Sequence, residues 1–180
     1  MGSAIADIIL GKVSPAGRLV QTWISSIDQL PPILDYNIRN GRTYMYKKAE
    51  SLFPFGFGLT YTSFVYSDLK TGESSIEAGE VTNVTFNLKN NGNFESDEVP
   101  QLYVSFPYSQ VDRPEIALKG FKRIFIPKGG TVQVSIPLKA TDLTYWDVDK
   151  QAFVLEKGKI KLSVGSSSED IKLTGEILVK

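Results

Sequence analysis

The chain has 180 residues, 42% hydrophobic and 22% charged, with 20 basic and 20 acidic side chains and a formal net charge of zero. That balance leaves no electrostatic footprint for nucleic acid or an anionic membrane. Cysteine and histidine are both absent, which excludes disulfides, thiolate nucleophiles, cysteine–zinc sites and any Ser-His or Cys-His catalytic pair within this sequence. No apolar run approaches the roughly 18 residues that span a bilayer. The opening MGSA lacks the charged n-region and cleavage site of a signal peptide.

In chain order, residues 4 to 11 predict the last turns of a helix. Ile5, Ile8 and Ile9 fall at i, i+3 and i+4, and Gly11 follows as a C-terminal cap. So short an apolar helix expects a partner surface. Residues 12 to 40 contain Pro15, Gly17, Pro31, Pro32, Asn37 and Asn40, with Leu19-Val20 and Trp23-Ile24 between them. They predict extended, loop-rich chain lying on another surface.

Residues 41 to 61 read GRTYMYKKAESLFPFGFGLTY. This stretch is dense in aromatics, punctuated by three glycines and a proline, and fits no simple period. It predicts a shaped connector whose rings pack on a neighbour and whose glycines permit close backbone approach.

From Phe64 onward the pattern alternates every two residues, as half-buried strands require. Val84, Phe86 and Leu88 form one face of a strand at 81–89. Val132, Val134, Ile136 and Leu138 form one at 132–139, and Ile160, Leu162 and Val164 one at 159–164. Further strands are predicted at 65–70, 101–106, 117–126, 152–155 and 173–179. Turn residues separate them at Asn90-Asn91-Gly92, Lys128-Gly129-Gly130, Asp147-Val148-Asp149 and Lys157-Gly158. Pro137 marks an edge strand or a strand end. About seven strands without intervening helices predict an all-β, antiparallel β-sandwich of immunoglobulin or fibronectin type III kind.

Eight pieces of sequence now carry a resemblance: SPAGRLVQTW (14–23), DQLPP (28–32), GRTYMY (41–46), LFPFGFGLTYTSF (52–64), EVPQLYVSFP (98–107), RPEIALKGFKRI (113–124), DLTYWD (142–147) and KLSVGSSSEDIKLTGEI (161–177). In this order they resemble the C-terminal end of glycoside hydrolase family 3, the β-glucosidases, β-xylosidases and relatives. The resemblance implies that residues 1–62 are the end of that family's α/β sandwich domain with an aromatic linker, and 63–180 its fibronectin type III-like domain. It also implies a β-glycosidase parent, exported or periplasmic, whose catalytic domains are the partner of this region. The family's nucleophile lies in a Ser-Asp-Trp type motif of an upstream barrel. Here only Trp23 and Trp146 occur, and neither follows Ser-Asp. The resemblance therefore transfers no catalytic residue, cofactor site or metal site onto this chain, and implies an accessory, structural role without turnover of its own.

Several clusters invite sharper readings. Retaining glycoside hydrolysis uses two carboxyls about 5–5.5 Å apart. Glu73, Glu77 and Glu80, then Glu95, Asp97 and Glu98, then Glu169 and Asp170 are the acid clusters, and a solvated surface explains all three. Asp147 and Asp149 could ligate Ca²⁺, but a tight hairpin turn explains them as well. Lys119, Lys122, Arg123 and Lys128 read as a charged edge that blocks strand-to-strand pairing rather than as a ligand stripe. The rings of Tyr44 to Phe64 read as an interdomain plug, with a sugar-stacking platform as the alternative. That alternative would make the chain a carbohydrate-binding module holding polysaccharide. Residues 1–62 also offer a surface for homo-oligomerisation.

Overall fold

The computed structural model describes residues 2–46 and 49–180; Lys47 and Lys48 of the aromatic stretch lie outside the described residues. Among the described residues one α-helix, α1 (Gly2–Ile9), is followed by β1 (Trp23–Ile24), β2 (Ser51–Phe53), β3 (Phe64–Thr71), β4 (Ser75–Ile76), β5 (Val81–Asn90), β6 (Ser96–Glu98) and β7 (Gln101–Ser105), with short 3-10 turns at Ile27–Gln29, Ile38–Asn40 and Ala140–Leu143. Then come β8 (Ala117–Phe121), β9 (Ile124–Ile126), β10 (Thr131–Lys139), β11 (Tyr145–Asp147), β12 (Ala152–Val154), β13 (Gly158–Gly165) and β14 (Ile171–Val179). A three-stranded sheet of order β10-β5-β3 faces a five-stranded sheet of order β4-β14-β13-β7-β8, and three short pairs, β1-β2, β6-β9 and β11-β12, lie outside them.

The alternation read from sequence is the alternation of burial. Along β5, Thr82, Val84, Phe86, Leu88 and Asn90 are buried and their neighbours are not. Val134, Ile136 and Leu138 of β10 lie beside them in one hydrophobic cluster. Leu102 and Val104 of β7, Ile160, Leu162 and Val164 of β13, and Ile177 and Val179 of β14 close the cluster from the other sheet. Pro137 sits on β10, an edge strand of its sheet, where a missing N–H costs least.

The all-β sandwich with a loop-rich leader is therefore as expected, but two local expectations are corrected. The single strand expected over 117–126 is two. Ala117–Phe121 stays at the edge of the five-stranded sheet, while Ile124–Ile126 leaves it to pair with β6. Strand β7 departs from simple alternation: Gln101, Leu102, Tyr103 and Val104 are all buried. Leu102 and Val104 face the core. Gln101 and Tyr103 point outward, and their cover comes from the connector preceding the sandwich.

Candidate functional site

The connector docks on that outer face of β7. Tyr44 and Phe55 stack with ring centroids 4.2 Å apart, and Tyr44 meets Tyr103 edge-on at 6.2 Å. The Tyr44 hydroxyl accepts the Leu118 N–H at 3.0 Å, and burial pushes its phenol pKa up. Gln101 Nε2 donates to the Gly56 and Ser166 carbonyls at 3.2 and 2.7 Å, and its Oε1 accepts from Tyr103 Oη at 2.5 Å. Gly56 is required here. Its φ of +83° belongs to the left-handed region, and a Cβ would stand 2.0 Å from Gln101 Oε1.

A second anchor is ionic. Arg18 Nη2 donates to Glu98 Oε1 at 2.7 Å, and the side chains are only 11% and 2% exposed. Tyr66 Oη donates to the same oxygen at 3.2 Å, and the Val99 N–H does so at 3.0 Å. Burial first, and then the Glu98 charge, drive the Tyr66 phenol far above its usual range. Gly58 lets the loop lie flat on Arg18; a Cβ there would meet the Gly17 carbonyl at 2.2 Å. A third anchor is Asn90, fully buried. Its amide donates to the Phe94 and Ile126 carbonyls, and its oxygen accepts from Thr62 Oγ1 and the Gly92 N–H. The backbone of Leu19 also pairs with Gly56 and Phe57. The leader is thus anchored to the sandwich at Arg18, Tyr44, Gly56 and Thr62.

Between its anchors this segment leaves large apolar side chains in solvent. The five most exposed large hydrophobic residues described are Val20, Ile33, Leu34, Tyr36 and Ile27, all between positions 20 and 36. No residue of α1 is buried. A groove of about 600 Å³ runs beside Ile8, Leu19, Trp23, Phe53, Phe57 and Leu59. Its rings are not coplanar: Trp23 and Phe53 meet at 69°, and Phe53 and Phe57 at 34°. Arg42 is engaged locally, donating to the Asp35 and Pro32 carbonyls at 2.7 Å each.

The acid clusters divide. Glu80 caps the Glu77 N–H at 2.8 Å on the surface, and Glu169 accepts from Ser51 Oγ at 2.6 Å. Burial raises the Asp170 pKa, but hydrogen bonds from Lys172 and Ser166 outweigh it and leave the carboxyl below its usual value. Asp97 pairs with Arg123. Glu98 corrects the surface reading of its cluster, for it is buried beside Arg18. Parity is the local signal: Ser96 and Glu98 face inward on β6 while Asp97 faces out. The partner, 80 positions away in a loop, has no such signal. Asp147 holds a tight turn, accepting from Lys150 Nζ at 2.9 Å and from the Asp149 and Lys150 N–H groups at 3.1 Å. The Lys150 bond is the main reason its pKa is lowered. Among the described residues, no group of three or more acids is placed to hold a metal ion. Of the basic edge, Lys119 is partly buried while Lys122, Arg123 and Lys128 are exposed.

Two family models match parts of this chain. Residues 1–61 match the Glycosyl hydrolase family 3 C-terminal domain and residues 98–168 the Fibronectin type III-like domain. The chain is 35% identical to a probable beta-glucosidase D of Aspergillus niger, over 99% of this chain and 27% of that protein. It is 37% identical to a beta-xylosidase of Formosa agariphila, over 95% of this chain and 24% of that protein. Its fold superimposes on the crystal structure of beta-D-glucoside glucohydrolase from Trichoderma reesei with a TM-score of 0.91 at 29% identity, covering 99% of this chain and 29% of that one. Beta-glucosidase 3B from Thermotoga neapolitana, in complex with alpha-D-glucose, gives 0.84 at 28% identity, covering 97% and 26%. The chain spans about a quarter of the length of these relatives. With residues 1–61 and 98–168 matched in that order and the fold shared over 99% of the chain, this chain belongs to glycoside hydrolase family 3 and represents that family's C-terminal region.

Proposed function

We propose that this chain is the non-catalytic C-terminal portion of a β-glycosidase that cleaves O-glycosidic bonds in carbohydrates, and that residues 2–62 dock it onto the catalytic domains. Residues 63–180 then act as one unit, a sandwich that braces the docking segment from behind. The observation that carries this reading is that the segment is anchored at some positions and exposes apolar side chains at others. Arg18, Tyr44, Gly56 and Thr62 fix it to the sandwich. Val20, Ile27, Ile33, Leu34 and Tyr36 are presented to solvent. Apolar surface gathered in this way marks a protein–protein contact. The buried carboxylate Glu98 also fits a structural role, since its neighbour is a guanidinium rather than a second carboxylate.

The test separates folding from docking. Val20→Asp and Leu34→Asp change exposed side chains, so the thermal unfolding of this chain alone is expected to stay unchanged. In the full-length glycosidase the same changes are expected to lower the thermal midpoint, because a charge then enters a buried apolar interface. Equal tolerance in both settings would refute docking through this face.

A further inference from the structure

The β11–β12 hairpin has one face held by the sandwich and one face in solvent. Its register sets Trp146 opposite Phe153 and Tyr145 opposite Val154. Tyr145 and Val154 are partly buried. The Tyr145 ring centroid lies 5.3 Å from the guanidinium carbon of Arg113, which also stacks on Phe106 at 3.6 Å and pairs with Glu156. On the other face Trp146 and Phe153 meet edge-on at 5.2 Å and stand 52% and 71% exposed, with Val148 at the turn 76% exposed. A surface hairpin ordinarily alternates apolar-in with polar-out. Here the outward row is apolar as well.

The turn is fixed rather than loose. Asp147 accepts from the Asp149 and Lys150 N–H groups and from Lys150 Nζ. Gln151 holds a φ of +48°, in the left-handed region that a residue with a side chain enters only at a cost. The rings are therefore presented on a shaped support, although a two-stranded piece is marginal by itself in water.

Its neighbours and its size say what covers this row. Arg39 follows the exposed Tyr36 and Ile38 of the docking segment and pairs with Asp112 at 3.2 Å. Arg39, Asp112, Trp146 and Val148 line one cleft, so the aromatic row continues from the apolar end of that segment. Two rings supply roughly 150–250 Å² each, short of the roughly 800 Å² per partner of a standard interface. That is too little to hold a second copy, but enough to extend an interface begun elsewhere. The chain spans about a quarter of its relatives' length, so most of such a protein remains to cover both patches. We propose that Trp146 and Phe153 form a second docking point, on the sandwich itself, seated in an apolar pocket of the upstream portion of the proposed glycosidase. The inference rests on the docking reading and adds to it a direct contact of the sandwich with that portion, anchored by the kind of side chain that dominates interface energetics.

Hydroxyl-radical footprinting, read by peptide mass spectrometry, compares side-chain exposure in this chain alone and in the proposed full-length glycosidase. Trp146 and Phe153 are expected to react about fivefold or more slowly in the full-length protein, as desolvated interface residues do, with Val20 and Leu34 slowed alongside. Slowing at Val20 and Leu34 with Trp146 and Phe153 unchanged would overturn the hairpin contact and leave the docking reading standing. No slowing at any of the four would overturn both. Protection of Trp146 that grows with the concentration of this chain alone, with light scattering at twice its mass, would give the row to a second copy and overturn the proposal. As a second readout, Trp146→Ser combined with Phe153→Ser is expected to lower the thermal midpoint of the full-length protein by about 2–4 °C more than that of this chain alone. Equal shifts would overturn it.

Discussion

Arg18 and Glu98, 80 positions apart in sequence, meet at 2.7 Å in a site from which water is almost excluded. Their pairing fastens the loop-rich leader to the sandwich. Neither charge is tolerable there alone, because removing one partner leaves the other desolvated without compensation. Arg18→Ala or Glu98→Ala is therefore expected to cost about 3–5 kcal/mol in urea unfolding. The double replacement Arg18→Met with Glu98→Leu is expected to cost less than either single change. Single losses below about 1 kcal/mol would place the pair among surface salt bridges instead.

Gly56 and Gly79 share nearly the same backbone, with φ of +83° and +84°, but not the same surroundings. A Cβ at Gly79 meets nothing within 4 Å, whereas at Gly56 it meets Gln101 Oε1 at 2.0 Å. Gly79→Ala is expected to cost only the left-handed backbone term, about 1–2 kcal/mol. Gly56→Ala is expected to exceed it, since the connector must also lift from β7. Equal costs in chemical denaturation would contradict the tight approach.

Tyr44 both stacks and accepts. Tyr44→Phe keeps the stack on Phe55 but leaves the Leu118 N–H without its acceptor, an expected loss of about 1 kcal/mol. Hydrogen exchange at the Leu118 amide is expected to quicken while the Val104 amide in the core stays protected. Unchanged exchange at Leu118 would show that water replaces the phenol at no cost.

Alkaline pH tests the buried phenols. Burial raises the pKa of Tyr44, Tyr66 and Tyr103. A raised folded-state pKa means the native state holds the proton more tightly than the unfolded chain. The stability it contributes is complete below the unfolded value, about pH 10 for tyrosine, and is lost as pH rises beyond it. Unfolding is thus expected to set in above about pH 10, with part of the phenolate absorbance of the eight tyrosines appearing only as tertiary structure is lost. Full phenolate ionisation in a folded chain would contradict the burial of these rings.

Legibility in the sequence followed periodicity. β5, β10 and β13 lie close to where alternating Val, Ile, Leu and Phe placed them, because a period of two is written in neighbouring residues. Strand β7 was legible in place but not in its double burial. The cover on its outer face comes from Tyr44 and Phe55, far upstream, and such a contact has no period. Glu98 was misread as surface for the same reason: its neutralising partner belongs to a loop whose path no local pattern records. Of the aromatic connector, Tyr44 and Phe55 pack on β7, while Phe53 and Tyr61 stay exposed.

Reconstitution tests the central claim most directly. The chain and the separately produced upstream portion of the proposed full-length glycosidase are assayed for aryl β-glycoside hydrolysis, apart and mixed, with light scattering on the mixture. The account predicts that this chain alone has no turnover, that it forms a stable complex with the upstream portion, and that the complex carries the activity. Hydrolysis by this chain alone, or an upstream portion that is fully active and does not bind it, would contradict the account.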